Sequence, residues 1–262
     1  MPTVTVLEKR YGSGSPETFE KLYSSLIRGL EVQLRFYGTT DRGWIQLDVS
    51  GKDETAALSL LECEVGLAPA SYDAMKKFSV LQGKVVSSKS EEYLYVDLGL
   101  SSPEGYDAVI SEKSFRAQLA DGKEAPFRSL VELFCLYNNL PLEVKIAGDI
   151  EDEGITVEAG LSEKQLNLFR SWVRSRFDRL IVLGSLFSDV EHAVNLSRHS
   201  RDIIKTESLG VLEQVVLCKL GTDAVGLIPK LGRYLKKSAV LVPFSPKKII
   251  ETVGSQAFDL RT

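Results

Sequence analysis

The chain has 262 residues, a formal net charge of −4, 44% hydrophobic residues and 26% charged residues. This composition is typical of a globular protein and excludes disordered, collagen-like and long coiled-coil chains. No apolar run approaches the roughly 18 residues of a membrane span, and the first residues lack the apolar core of a signal peptide. We therefore expect a cytoplasmic protein without membrane contact. The isolated cysteines Cys63, Cys135 and Cys218 stand among apolar residues, which predicts buried, reduced thiols rather than disulfides or a zinc site.

The first unit is predicted to be an α+β domain over residues 1–79. Alternating polar and apolar residues indicate strands at 2–7, 32–36 and 44–49. Ser15 followed by Pro16 is a typical helix start, and this helix is expected to end near Gly29. A second helix beginning near Asp53 completes the order βαββα, a small sheet with two helices on one face.

The second unit, over residues 80–160, is predicted to be a small barrel of the OB type. Five short strands are indicated at 83–86, 93–99, 107–111, 141–146 and 155–159, with a helical turn at 130–137 between the third and fourth. Residues 95–99 read aromatic-Val-Asp-Leu-Gly, with Gly83 and Val85 before them and a strand ending in Ser111 after them. The segment therefore resembles an S1-type OB domain. It lacks the Phe-Gly pair of many S1 domains at 90–92, so the resemblance implies the fold more strongly than the RNA-binding surface.

The third unit, over residues 161–262, is predicted to be ferredoxin-like. Capping boxes at Ser162 and Ser188 begin two helices, and apolar positions from Leu166 to Phe177 define the buried face of the first. Strands at 180–183, 202–207, 212–220 and 239–244, with a helix between the last two, give the order βαββαβ. A final helix is expected from Ser245. The whole chain is thus an α+β protein of three small units.

Segments in all three units resemble one family. The stretches 199–203, 207–213 and 232–235, with 55–57 and 60–61 near the N-terminus and 140–142 in the barrel, look like the archaeal family called domain of unknown function 2110. The resemblance covers most of the chain. The resemblance implies an archaeal cytoplasmic protein. It implies no activity, because none is established for that family.

Charge is distributed unevenly among the units. Residues 1–80 carry −2, residues 81–160 carry −8 and residues 161–262 carry +6. Because phosphates respond to the local surface within a Debye length of about 10 Å, the third unit is the candidate for contact with RNA or the ribosome. The acidic barrel is expected to meet a basic protein partner. The residues predicted to bind nucleic acid are Arg170, Trp172, Arg174, Arg176, Arg179, Arg198, Arg201, Lys230, Arg233, Lys236 and Lys237.

Aromatic residues give two further candidate contacts. Projected on a helix, Trp172 lies outside the predicted core face and near arginines, so it stacks on a base or packs against a neighbouring domain. Tyr93 and Tyr95 alternate with apolar residues and are expected to point outward from the barrel with Asp97.

Catalytic and metal sites have weaker support. His192 and His199 lie seven residues apart on one predicted helix, too far to share a metal, and no metal or cofactor is expected. Cys218 reads as part of a buried strand rather than as a nucleophile. The turn from Gly221 to Gly226 has phosphate-loop spacing but lacks the following Lys, so a structural turn is favoured. A possible functional cluster comprises His199, Asp202, Glu207, Thr222 and Asp223.

These observations favour a non-catalytic RNA- or ribosome-associated protein of the translation or transcription machinery. Two alternatives remain open. One is a protein-interaction adaptor that binds no nucleic acid. The other is an enzyme with its site near His199, Asp202 and Asp223.

Overall fold

A computed structural model describes residues 3–12, 14–69, 75–86, 92–100, 108–148 and 156–258. Three sheets, the middle one closed into a barrel, follow one another along the chain. The predicted α+β class and the central five-stranded barrel are confirmed. The acidic run from Asp149 to Glu153, which the sequence assigns to a hairpin turn, lies outside the described residues. Within the described ranges, no helix has the length and apolar character to cross a bilayer.

The N-terminal unit is a three-stranded antiparallel sheet with two helices. Its elements are β1 (Thr3–Lys9), α1 (Pro16–Leu26), β2 (Val32–Thr39), β3 (Trp44–Gly51) and α2 (Glu54–Glu64), and its sheet order is β1-β3-β2. Ser15 caps α1, because its side chain accepts the N–H of Thr18 at 3.2 Å, and Pro16 occupies the first turn. Phe19 and Tyr23 of α1 are buried against Leu47 of the sheet. Cys63, which was expected to be buried, is exposed because it follows the buried Leu61 onto the outer side of α2.

The barrel closes in the order β4-β5-β6-β8-β7. Its elements are β4 (Val80–Val86), β5 (Tyr93–Asp97), β6 (Ala108–Ser111), α3 (Glu112–Leu119), α4 (Phe127–Leu133), β7 (Pro141–Ile146) and β8 (Val157–Leu161). β6 and β8 pair in parallel and the other neighbours are antiparallel. The prediction of one helical turn between the third and fourth strands is wrong, since two helices stand there. Ser111 both ends β6 and caps α3, accepting the N–H of Ser114 at 3.3 Å.

The C-terminal unit is a four-stranded antiparallel sheet of order β10-β11-β9-β12. Its elements are α5 (Glu163–Arg174), β9 (Arg179–Leu183), α6 (Phe187–Ser197), β10 (Ile203–Ser208), β11 (Glu213–Cys218), α7 (Ala224–Gly232), β12 (Val240–Phe244) and α8 (Pro246–Val253). Helices α6 and α7 share a core with one face of the sheet, and α5 and α8 pack on the other face together with the barrel. The capping box predicted at Ser188 is wrong, since the cap is Leu186, two residues earlier, and α6 begins at Phe187.

The capping box predicted at Ser162 forms only in part. Ser162 caps α5 by accepting the N–H of Gln165 at 3.1 Å. Gln165 does not return this bond, and its side chain instead accepts the N–H of Glu143 in β7 at 3.2 Å. Ser162 also donates its hydroxyl to Glu143 Oε1 at 2.6 Å. The start of α5 is therefore bonded directly to the barrel.

Candidate nucleic-acid interface

Part of the basic surface predicted on the first C-terminal helix is absent. Helix α5 ends at Arg174, so Arg176 lies in the following turn and Arg179 begins β9. Arg174 is exposed but donates its Nε–H to the carbonyl of Phe258, and the half-buried Arg170 bonds to Asn167 at 3.4 Å. Arg176 is exposed, with a left-handed φ of 60°. Arg179 is buried and donates to the carbonyls of Trp172 and Phe177 at 3.1 and 2.8 Å.

The placement of Trp172 outside the core is wrong. Its side chain is only 4% exposed and packs edge-on against Phe169 and Phe244, at centroid distances of 6.0 and 5.2 Å. The guanidinium of Arg179 covers the ring at 5.1 Å. α5 lies between the barrel and the sheet, so a second side of this helix is buried. Of the two predicted roles for Trp172, the structure has the packing role.

Four of the predicted basic residues lie in one acid-free stretch, together with Lys247 and Lys248. No acidic residue lies between Asp223 and Glu251, and the six lysines and arginines within that interval are all exposed. We call this set the basic rim. Its members are Lys230, Arg233, Lys236, Lys237, Lys247 and Lys248.

Four residues of the basic rim flank an edge of the C-terminal sheet, and Lys230 and Arg233 lie at the end of α7. β12 is an edge strand, with Lys236 and Lys237 shortly before it and Lys247 and Lys248 shortly after it. A five-residue strand spans about 17 Å, so positive charge is present at both ends of an extended edge. Pro243 lies within β12 and has no N–H to donate, which protects the edge against pairing with another strand. The edge is thus suited to charged side-chain contacts rather than to strand addition.

An aromatic side chain accompanies the rim. Tyr234 is exposed, and the guanidinium of Arg233 lies 4.9 Å from the centroid of its ring. Stacked arginine and aromatic side chains are common where proteins contact nucleotide bases.

The possible functional cluster is brought together only in part. His199 Nδ1 and Asp202 Oδ2 are 2.6 Å apart, and this hydrogen bond, followed by the nearby Lys230 and Lys219, lowers the pKa of the Asp202 carboxyl. Glu207 lies further along β10 and pairs with Lys205 at 2.6 Å. His199 lies beyond the end of α6 rather than on the predicted helix with His192. The exposed Arg198 and Arg201 flank this segment.

The amides at the start of α7 are already occupied. Asp223 caps the helix by accepting the N–H of Val225 at 3.0 Å, and Asp178 accepts that of Ala224 at 3.4 Å. Two carboxylates at this terminus oppose a phosphate there. Gly221 has a φ of +87°, as the predicted structural turn requires.

Cys218 is a buried thiol. Burial, with the carboxylates of Asp178 and Asp223, raises its pKa to about 12. A thiol with this pKa is protonated at neutral pH and is a poor nucleophile. Within the described residues, no group of three or more His, Cys, Asp or Glu side chains is arranged to hold a metal ion.

Two family models match the chain. The model of the DUF2110 N-terminal domain covers residues 3–70, and the model of the DUF2110 C-terminal domain covers residues 177–242. Together they account for just over half of the sequence. The chain belongs to the DUF2110 family. No curated protein matches it.

The DUF2110 N- and C-terminal domains meet the barrel at a buried charged cluster. Lys84 of β4 contacts Glu8 Oε2 of β1 at 2.6 Å and Glu213 Oε1 of β11 at 2.7 Å. Tyr11 donates its hydroxyl to Glu213, and Glu8 Oε1 accepts the N–H of Val211 at 2.7 Å. We call Glu8, Tyr11, Lys84 and Glu213 the charged junction. It joins one carboxylate from each DUF2110 domain through a lysine of the barrel.

At the charged junction the barrel supplies the lysine, and each DUF2110 domain supplies a carboxylate. A side chain at Gly210 would overlap Glu213 Oε2, so this close approach requires glycine. Burial, and then the nearby Glu8, raise the pKa of Glu213 to about 7.

Beside the charged junction, the outer face of β5 is partly covered. Tyr93 is exposed and Tyr95 is half-buried, which agrees with outward-pointing tyrosines. Asp97 also points out of the barrel but is buried, because Lys9 and Arg42 of the N-terminal domain contact it at 2.6 and 3.0 Å. No sequence signal marked these contacts, since the partners are about 50 to 200 residues apart and each reads as a polar strand or turn position.

Proposed function

We propose that this DUF2110 protein is a non-catalytic RNA-binding protein of the translation or transcription machinery. Its basic rim contacts the phosphate backbone of RNA, free or within the ribosome. The observation that carries the proposal is the acid-free interval between Asp223 and Glu251, which holds six exposed basic residues, four of them flanking the edge strand β12. Arginine and lysine side chains that neutralise phosphates release counterions, and this release drives binding.

The charge of the whole chain does not oppose this role. The net −4 combines the acidic barrel with a basic C-terminal unit. Charges further apart than about 10 Å are largely screened at physiological salt, so RNA bound at the rim responds mainly to the rim. The paired surface residues Glu143 and Lys164, 3.2 Å apart, also offset part of the barrel's acidity beside the C-terminal unit.

The proposal also includes the fold types of two units and the origin of the protein. We infer an S1-type OB barrel, which the closed order β4-β5-β6-β8-β7 supports, and a ferredoxin-like C-terminal unit, which the order β10-β11-β9-β12 supports. An archaeal, cytoplasmic origin rests on the family resemblance and on the absence of apparent disulfide spacing in the sequence.

The test is binding of the full-length protein to a fluorescein-labelled oligoribonucleotide across a potassium chloride series. With about five phosphate contacts, the slope of log K against log salt should be about −3.5. The double variant Lys230→Glu/Lys237→Glu should bind at least about tenfold more weakly with a shallower slope. The control Lys21→Glu/Arg28→Glu makes the same charge change at exposed positions near α1 and should bind like wild type.

Two results would contradict the proposal. One is a wild-type protein without measurable RNA affinity at low salt, which would favour the adaptor function. The other is an equal loss of affinity in both double variants, which would indicate a general charge effect rather than a site.

A further inference from the structure

Phe78 is an exposed aromatic residue in a strained backbone conformation. It lies two residues before β4, its side chain is 65% exposed, and its φ is 71°. The left-handed region costs a bulky L-residue about 1–2 kcal/mol. Exposure of a large apolar ring also forgoes the stabilisation that burial would provide.

Backbone hydrogen bonds hold Phe78 in this position. Its N–H donates to the carbonyl of Ile146 at 2.9 Å, and the N–H of Ile146 donates to the carbonyl of Ser79 at 2.9 Å. Ser79 donates both its N–H and its hydroxyl to the carbonyl of Lys76, at 2.9 and 2.6 Å. The ring is therefore mounted on a turn that is fixed to β7, not on a loose loop.

Positive charge lies close to the ring. The Nζ atoms of Lys77 and Lys145 lie 5.7 and 5.6 Å from its centroid, within cation–π distance, and Lys76 is adjacent in sequence. The described acidic residues on the two strands nearby are Glu143 of β7, which contacts Lys164 at 3.2 Å, and the exposed Glu158 of β8, whose backbone carbonyl accepts the N–H of Ala147 at 2.8 Å. Although the barrel is acidic as a whole, the charges that lie directly at the ring are those of Lys77 and Lys145.

We propose that Phe78 is a base-stacking platform for single-stranded RNA, with Lys77 and Lys145 contacting the adjacent phosphates. The inference rests on the proposed RNA-binding function and adds a second contact site, on the barrel rather than on the basic rim. An exposed ring beside cations matches the combination by which proteins bind single strands. A duplex keeps its bases stacked on each other, so it offers the ring no base face.

The experiment compares full-length wild type with Phe78→Ala on two probes, a fluorescein-labelled oligoadenylate and an RNA duplex of the same length. Phe78→Ala should weaken binding of the single strand about tenfold and change duplex binding by less than about twofold. Phe78→Trp should keep single-strand affinity, because it retains an aromatic face. Tyr37→Ala is the matched control, since Tyr37 is also 65% exposed but lies on the N-terminal unit, and it should bind both probes like wild type.

Phe78→Gly separates binding from folding. Glycine adopts a positive φ without strain, so this variant should melt no lower than wild type and still lose about tenfold in single-strand affinity. Normal binding of the single strand by Phe78→Ala would overturn the platform while leaving the rim in place. Equal losses on both probes would overturn base stacking. A wild type that binds polyglutamate but no RNA would overturn both proposals and indicate an acidic protein partner.

Discussion

The charged junction contains two carboxylates, those of Glu8 and Glu213, and one ammonium group, that of Lys84. Ionisation of Glu213 therefore leaves a net buried negative charge. Its pKa is raised from 4.5 to about 7. Between these values the folded protein holds a proton that the unfolded chain has released. The free energy of unfolding should therefore fall as pH rises from about 4.5 to about 7, and then level off. The raised pKa of Lys84 keeps this residue charged throughout, so it adds no slope in this range.

Urea unfolding at about pH 5 and about pH 8 measures this effect. The proton that Glu213 holds should make the free energy of unfolding of wild type larger at the lower pH, in addition to the effects of its other titrating groups. Glu213→Gln keeps the Oε1 acceptor for Lys84 and Tyr11 but cannot ionise, so the difference between the two pH values should shrink. A variant with the full wild-type pH dependence would show that Glu213 titrates normally.

Lys84 is the partner whose loss should be most damaging. Lys84→Met leaves Glu8 and Glu213 buried without a cation, and removal of one partner from a buried ion pair costs about 3–5 kcal/mol. The double variant Lys84→Met/Glu213→Gln should recover part of this loss, because one of the two carboxylates is then neutral. Chemical denaturation of wild type, Lys84→Met, Glu213→Gln and the double variant at neutral pH measures the difference. Additive effects of the two substitutions would argue against direct coupling.

Among the elements, α5 depends on one serine for both its start and its attachment. Ser162→Ala removes the helix cap and the hydroxyl bond to Glu143, and should lower the free energy of unfolding by about 1–2 kcal/mol. Ser245→Ala is the control, since Ser245 occupies the same position before α8 but makes no capping bond with its side chain. Thermal melts should place this control close to wild type. Equal shifts for both variants would contradict the proposed difference.

Local signals in the sequence anticipate much of the secondary structure. Alternation and the Ser15-Pro16 start predicted β1 and α1, and the five barrel strands were found because each has β-rich residues between polar turns. Residues with two structural roles were harder to interpret. Ser111 ends a strand and caps α3, and Trp172 appeared exposed because helical periodicity assumes one buried side, whereas α5 has two covered sides.

The sequence predicted the positive charge of the candidate site but not the arrangement of its residues in space. The exposed rim residues were found from the charge of the segment, because lysines and arginines on a surface are visible in the sequence whatever they contact. The charged junction was missed, since Glu8, Lys84 and Glu213 acquire their meaning only when three distant strands meet. Phe78 gave no signal either, because positive φ in a non-glycine residue depends on backbone bonds to β7.

At the scale of the whole molecule, the three units should unfold together. The largest apolar core includes residues of both the barrel and the C-terminal sheet, and Leu212 of the C-terminal unit belongs to the N-terminal core. The chain has two tryptophans, Trp44 in the N-terminal unit and Trp172 in the C-terminal unit. Each single-tryptophan variant, Trp44→Phe or Trp172→Phe, therefore reports on one unit.

The fluorescence of each variant should show one denaturation transition. Its midpoint should coincide with the midpoint that circular dichroism gives for the same variant, so a difference in stability between the two variants does not affect the comparison. Midpoints that differ between the fluorescence and circular dichroism signals of the same variant would show that the units unfold separately. The Nζ of Lys9, which binds Asp97 of the barrel, lies 4.7 Å from the centroid of the Trp44 ring, so the separate stability measurement is needed above all for Trp44→Phe.

The charged junction also implies an order of events during synthesis. Glu8 and Lys84 are 76 residues apart, and Glu213 follows Lys84 by 129 residues. At 5–20 residues per second, the ribosome adds Glu213 roughly 6 to 26 seconds after Lys84. Once β8 completes the barrel, and before Glu213 is added, the junction holds only Glu8 and Lys84, so the first two units can dock there as a neutral pair. Glu213 adds the second carboxylate only with the last unit, when the docked first two units already form the surface on which it is buried.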